Sequence, residues 1–153
     1  MEQQNKQFYN FEDLAINSNL GTLIHLNFRG RLYGDKYGEE KIIRLKSYLI
    51  QCTEIQSLTL NLRNKIDHDY GIKILFEDLP AFKNLSTLQL LLSKSKAENL
   101  GAITIAQYLK ECKNLTELQL NLNFNKINSN DMSQLVEAIN TIDKIQNLQL
   151  WVG

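Results

Sequence analysis

Leucines recur in a single register along most of this chain. Leu26, Leu58, Leu88, Leu118 and Leu148 lie first 32 and then 30 residues apart. Three residues before each stand Leu23, Ile55, Leu85, Leu115 and Ile145. Six before stand Leu20, Cys52, Phe82, Cys112 and Ile142. Two after come Phe28, Leu60, Leu90, Leu120 and Leu150, and four after come Gly30, Leu62, Leu92, Leu122 and Val152. Gly30 alone breaks these apolar columns. A fixed period of this length marks a repeat architecture, in which each unit is one supersecondary element.

The local period changes within each unit. Leu118, Leu120 and Leu122 alternate with Gln119 and Asn121, which is strand periodicity. Met132, Leu135, Val136, Ile139 and Ile142 instead share one helical face. Ile72, Leu75, Phe76, Leu79 and Phe82 repeat that face, as do Ala102, Ile105, Ala106, Leu109 and Cys112. Ile42, Leu45, Leu49 and Cys52 give the first version. Gly71, Gly101 and Asp131 precede their helices at equivalent places. The glycines suit a turn with unusual backbone angles, and the aspartate suits a cap.

Each unit therefore reads as strand, loop and amphipathic helix. Neither element buries its apolar face alone, so stacked units must share one core. The expected class is α/β, with about five parallel strands on one face and helices as crossovers on the other. The whole of 1–153 reads as a single domain, with 1–19 as a capping segment and about 20–153 as repeats of 30–32 residues.

The stretches "IQSLTLNLRNKI" (55–66) and "LTELQLNLNFNKI" (115–127) resemble the leucine-rich repeat, and the helix-bearing period is similar to its ribonuclease-inhibitor-like subclass. The resemblance covers nearly everything from Leu20 onward. It implies a solenoid, a horseshoe segment with strands on the concave face and helices on the convex face. The consensus asparagine is displaced to Asn125 or Asn64, and the third unit, "LLLSKSKAENL", has none there. The first unit carries a two-residue insertion within "RGRLYGDKYGEE".

Side chains alternate along a strand, so the residues between the core leucines point out on the concave face. One row reads Asn27, Thr59, Gln89, Gln119 and Gln149; the next reads Arg29, Asn61, Leu91, Asn121 and Trp151. A third reads His25, Ser57, Thr87, Glu117 and Asn147. Neutral hydrogen-bonding groups beside a few large side chains suit protein recognition. Leu91 and Trp151 are the candidate anchors. The same amides would equally serve to solvate the sheet. In the insertion, Tyr33 and Tyr37 are expected as an exposed contact site.

The two ends read differently. "FEDLAINSNL" (11–20) is expected to form an amphipathic helix through Phe11, Leu14 and Ala15 that caps the first strand. The sequence given stops at "LQLWVG", directly after a strand and without a polar cap. The expectation is an open edge, completed by a partner chain or by further sequence.

Chemistry has little support. "DHD" (67–69) lacks the ligand count of a metal site. The insertion lacks both the G-x-G-x-x-G order and the Walker lysine. Cys52 and Cys112 fall in an apolar column and read as core residues. His25 reads as a surface residue. No catalytic residue, cofactor or metal is expected. With 17 basic and 17 acidic residues the formal net charge is zero, so direct contact with nucleic acid is not expected. No segment has the apolar length of a signal peptide or a membrane span, and the expectation is an intracellular, cytoplasmic protein without membrane contact. The favoured function is a non-enzymatic protein–protein interaction module, a scaffold or adaptor that works through the concave face or the C-terminal edge. Alternatives are a subunit of a ribonucleoprotein complex, a regulator or inhibitor of a partner enzyme, or a repeat fragment of a longer protein.

Overall fold

A computed structural model describes residues 5–17, 19–30, 36–96 and 99–153. It is an α/β structure with one six-stranded, all-parallel sheet in the order β1-β2-β3-β4-β5-β6. The strands are β1 (Asn5–Phe8), β2 (His25–Arg29), β3 (Ser57–Asn61), β4 (Thr87–Leu91), β5 (Glu117–Asn121) and β6 (Asn147–Trp151). The helices between them are α1 (Phe11–Ala15), α2 (Glu39–Leu49), α3 (Asp69–Phe76), α4 (Asn99–Glu111) and α5 (Ser129–Asn140). Short 3-10 turns follow α1 at Leu20–Thr22 and α3 at Leu79–Ala81. Pro80 has no N–H to continue the helical ladder, so α3 stops early.

The leucine register is the sheet register. Leu26, Leu58, Leu88, Leu118 and Leu148 are successive cross-strand partners, as are Phe28, Leu60, Leu90, Leu120 and Leu150. Helical Ile42, Leu45, Ile72, Ile105, Leu109 and Leu135 close over the same side of the sheet, in one buried cluster with the strand leucines. Each fully buried leucine contributes roughly 1.5–3 kcal/mol, so the core is a sum of similar increments along the stack.

There are six strands rather than about five. The extra one, β1, comes from the segment expected only to cap. It pairs along β2, with Phe8 buried beside Phe28, while Asn5, Lys6 and Gln7 stay exposed. The helix in that segment is only Phe11–Ala15; Phe11 and Leu14 are buried and Ala15 is exposed. β1 therefore covers the edge of β2, and α1 connects the two.

Gly71 and Gly101 lie inside the first turns of α3 and α4, not in turns before them. Close packing explains both. A Cβ on Gly71 would come within 3.0 Å of Ile66 Cγ2. One on Gly101 would meet Asp69 Oδ1 at 2.4 Å, so that carboxylate would have to turn aside, and Ile72 Cδ1 at 3.0 Å. Asp131 is likewise inside α5, and its N–H donates to the actual cap, Asn128 Oδ1, at 2.9 Å. His68 Nδ1 caps α3 in the same way, accepting from Gly71 N at 3.1 Å.

The loops after the strands also stack. Asn64, Lys94 and Phe124 take left-handed backbone angles, with φ of 58°, 56° and 59°. Asn64 N–H donates to Ser93 O at 2.8 Å and Lys94 N–H to Asn123 O at 3.0 Å. Asn64 therefore belongs to this left-handed column. The residues equivalent to Asn125 are Ser95 and Lys65. Asn125 Nδ2 donates to Leu92 O at 3.0 Å and Leu122 O at 2.8 Å, while its Oδ1 accepts from Ser95 N at 2.9 Å. The third unit is thus supported by its neighbour's asparagine and by Ser95, which is fully buried.

Candidate functional site

The helices cover one face of the sheet and leave the other open. On the open face the alternating residues form the three rows expected from the strand pattern. Neighbours within a row are one strand spacing apart, about 4.8 Å. β1 extends two of the rows: Asn5 lies beside His25 and Gln7 beside Asn27. The sequence pattern gave no sign of this, because "NKQF" has a single core residue.

The middle row is partly cross-linked within itself. Thr59 Oγ1 donates to Gln89 Oε1 at 3.2 Å. Gln119 is half-buried and Gln149 is exposed. Asn27 is half-buried, and its Oδ1 is enclosed without a hydrogen-bond partner among the described residues. It lies in a shallow depression of about 360 Å³ lined by Asn5, Gln7, His25, Asn27, Ser57 and Thr59.

In the outer row, Asn61 Oδ1 accepts from Arg63 N at 3.4 Å and Asn121 Oδ1 accepts from Asn123 N at 3.1 Å. These two amides start the turns that end β3 and β5, so part of their polarity is spent on the fold. Arg29 is exposed and Leu91 is half-buried. Trp151 is 40% exposed at the end of β6.

Tyr37 is not a surface contact. It is buried, with its ring 5.2 Å from Phe11 and Lys65 Nζ 5.6 Å from its centroid. Its hydroxyl lies 2.8 Å from where a Cβ on Gly30 would be. The phenol fills the space that Leu62, Leu92 and Leu122 fill in their own units, which accounts for the one break in the apolar columns. Tyr33 lies outside the described residues.

The chemically suggestive residues are occupied with structure. Asp67 pairs with Lys96 at 2.8 Å and lies 3.8 Å from Lys36; the hydrogen bond from Lys96 holds its carboxyl below the usual range. Burial pushes the Cys52 thiol up to about 12 and the Cys112 thiol up to about 11. Both thiols face the carbonyl of a tyrosine one turn back, Tyr48 and Tyr108. Among the described residues no group of three or more His, Cys, Asp and Glu could hold a metal ion. Among the same residues no helix is long and apolar enough to cross a membrane.

Beyond the sheet's last strand the core is open. Asn147 N–H donates to Thr116 O, and Trp151 O accepts from Leu122 N. By the alternation of a parallel ladder, the N–H and C=O groups of Leu148 and Leu150 point away from β5. Leu148 is 45% exposed and Val136 on α5 is 38% exposed, although their equivalents in the preceding unit, Leu118 and Ala106, are buried. No protein-family model matches the sequence, and no curated protein matches it at a significant level.

Proposed function

We propose that this chain is a non-catalytic, leucine-rich-repeat interaction module, a solenoid segment that binds a protein partner as scaffold or adaptor. The observation that carries this reading is the open sheet face: three registered rows of mostly neutral donors and acceptors, flanked by Leu91 and Trp151. A flat array of this kind offers many weak hydrogen bonds with a few apolar anchors, as the polar rim and aromatic core of protein interfaces do. The unpaired backbone of β6 beside exposed Leu148 offers a second contact, to which a partner strand could add.

The test is affinity purification with quantitative mass spectrometry. Wild type is compared with Gln89→Lys/Gln119→Lys on the open face, with Trp151→Ala, and with Ile43→Lys on the exposed side of α2. A specific partner lost with the open-face variants and kept with Ile43→Lys supports the reading. A partner lost only with Ile43→Lys moves the binding surface to the helices and overturns it.

A further inference from the structure

The zero net charge conceals a segregation. By sequence, the four segments 29–37, 62–68, 92–98 and 122–128 carry eight basic and three acidic residues, while the rest of the chain carries nine basic and fourteen acidic. The described parts of these segments end β2 or follow β3, β4 and β5, so they lie at the carboxyl ends of the strands. Within the described residues of these four segments Asp67 is the one acidic side chain, and Lys96 and Lys36 already pair with it. The helices that follow carry Glu39 and Glu40, Asp69, and Asp131 in their first turns.

Arg29, Arg63, Lys94 and Lys126 are exposed on this edge, and none has a carboxylate partner among the described residues. Backbone bonds hold their strands and loops side by side: Gly30 N–H to Asn61 O at 2.9 Å, Leu62 N–H to Leu91 O at 3.0 Å, and Lys94 N–H to Asn123 O at 3.0 Å. Each of these four units thus places one such basic group at the carboxyl end of its strand or in the loop after it, at a different position in each. Phe124 lies in the same row of loops, 66% exposed. Its left-handed backbone is a conformation that costs a bulky L-residue energy, and its ring carries Lys94 Nζ at 5.2 Å from the centroid.

We propose that this loop edge binds single-stranded RNA or DNA. Arg29, Arg63, Lys94 and Lys126 meet successive phosphates, and Phe124 offers its face to a base. Charge alone would fit any polyanion. The exposed aromatic ring among the cations selects a strand with unpaired bases, because stacking on an aromatic face is what such a strand offers beyond its phosphates. Arg29 also ends the outer row of the open face. Arg63, Lys94, Lys126 and Phe124 lie in the loops beyond that face, and they set this inference apart from the protein-binding role.

The test is fluorescence anisotropy with a labelled 20-nucleotide uridine RNA at several salt concentrations, using the full chain. Competitors are a duplex of equal length and polyglutamate. Four phosphate contacts predict a slope of log affinity against log salt of about −3. Arg29→Gln/Arg63→Gln/Lys94→Gln/Lys126→Gln should weaken binding at least tenfold and flatten the slope. Phe124→Ala should weaken it about fivefold or more, with Phe124→Tyr restoring it. Lys83→Gln/Lys113→Gln/Lys144→Gln, at the opposite ends of the strands, should leave binding unchanged. Circular dichroism confirms that each variant is folded. Equal loss in the opposite-end variant, no binding by wild type at 50 mM salt, or displacement by polyglutamate as readily as by unlabelled RNA overturns the proposal; the last result would assign the edge to an acidic protein segment.

Discussion

Leu148 and Leu118 are partners across the β5–β6 ladder, yet Leu118 is fully buried and Leu148 is 45% exposed. They have the same residue type, strand position and register. The difference is the next unit: Leu118 has one beside it and Leu148 does not. Burial here is supplied by the neighbour. Leu118→Ala should therefore cost about 2–5 kcal/mol, and Leu148→Ala about 1 kcal/mol. Urea unfolding midpoints of the two variants measure this, and equal costs would contradict a core built by stacking.

Asn125 joins two units through one side chain, donating to Leu92 O and Leu122 O and accepting from Ser95 N. Asn125→Ala should cost about 2–4 kcal/mol, because it strands enclosed backbone groups in two loops. Asn123→Ala, two residues earlier in the same turn, should cost under about 1 kcal/mol. Thermal unfolding of both variants provides the comparison.

Phe124 has φ of 59°. A residue without a Cβ escapes the steric cost of that angle. Phe124→Gly should therefore be more stable than Phe124→Ala by about 1 kcal/mol. Both variants lose the ring, so their difference isolates the backbone, and a more stable alanine variant would deny the left-handed angle.

The thiols set a pH dependence at the alkaline end. Burial raises Cys52 from 9.0 to about 12 and Cys112 from 9.0 to about 11. The folded state keeps protons that the unfolded state releases. Stability from this source is complete below about pH 9 and falls as pH rises towards the folded values. At pH 8 a thiol reagent should modify both cysteines only as fast as the chain opens. Rapid stoichiometric labelling of native protein would show that the thiols are accessible.

The strand–helix order, the parallel register and the rows of the open face were legible because each rests on a simple period in apolar residues. What escaped lies where tertiary contact replaces period. "NKQF" has one core residue and becomes a strand only by pairing with β2. Tyr37 looks like an insertion residue, but it fills the hole left by Gly30. Gly71 and Gly101 read as turn glycines, yet their positions are set by Ile66 and Asp69, which only the packed structure brings near. Lys94 and Phe124 are unusual choices for a left-handed angle, and no residue type announces their column. The charge segregation was hidden because the zero net charge averages a basic edge with a net-acidic remainder of the chain.

The most direct test of the stacking is native-state amide exchange by NMR along β5 and β6. Leu118 and Leu120 point their N–H groups at β6, whereas Leu148 and Leu150, their register equivalents, point theirs away from the sheet. The predicted result is strong protection at Leu118, Leu120 and Gln149 with fast exchange at Leu148 and Leu150. Protection of Leu148 and Leu150 equal to that of Leu118 and Leu120 in the isolated monomer would contradict both the register and the open edge.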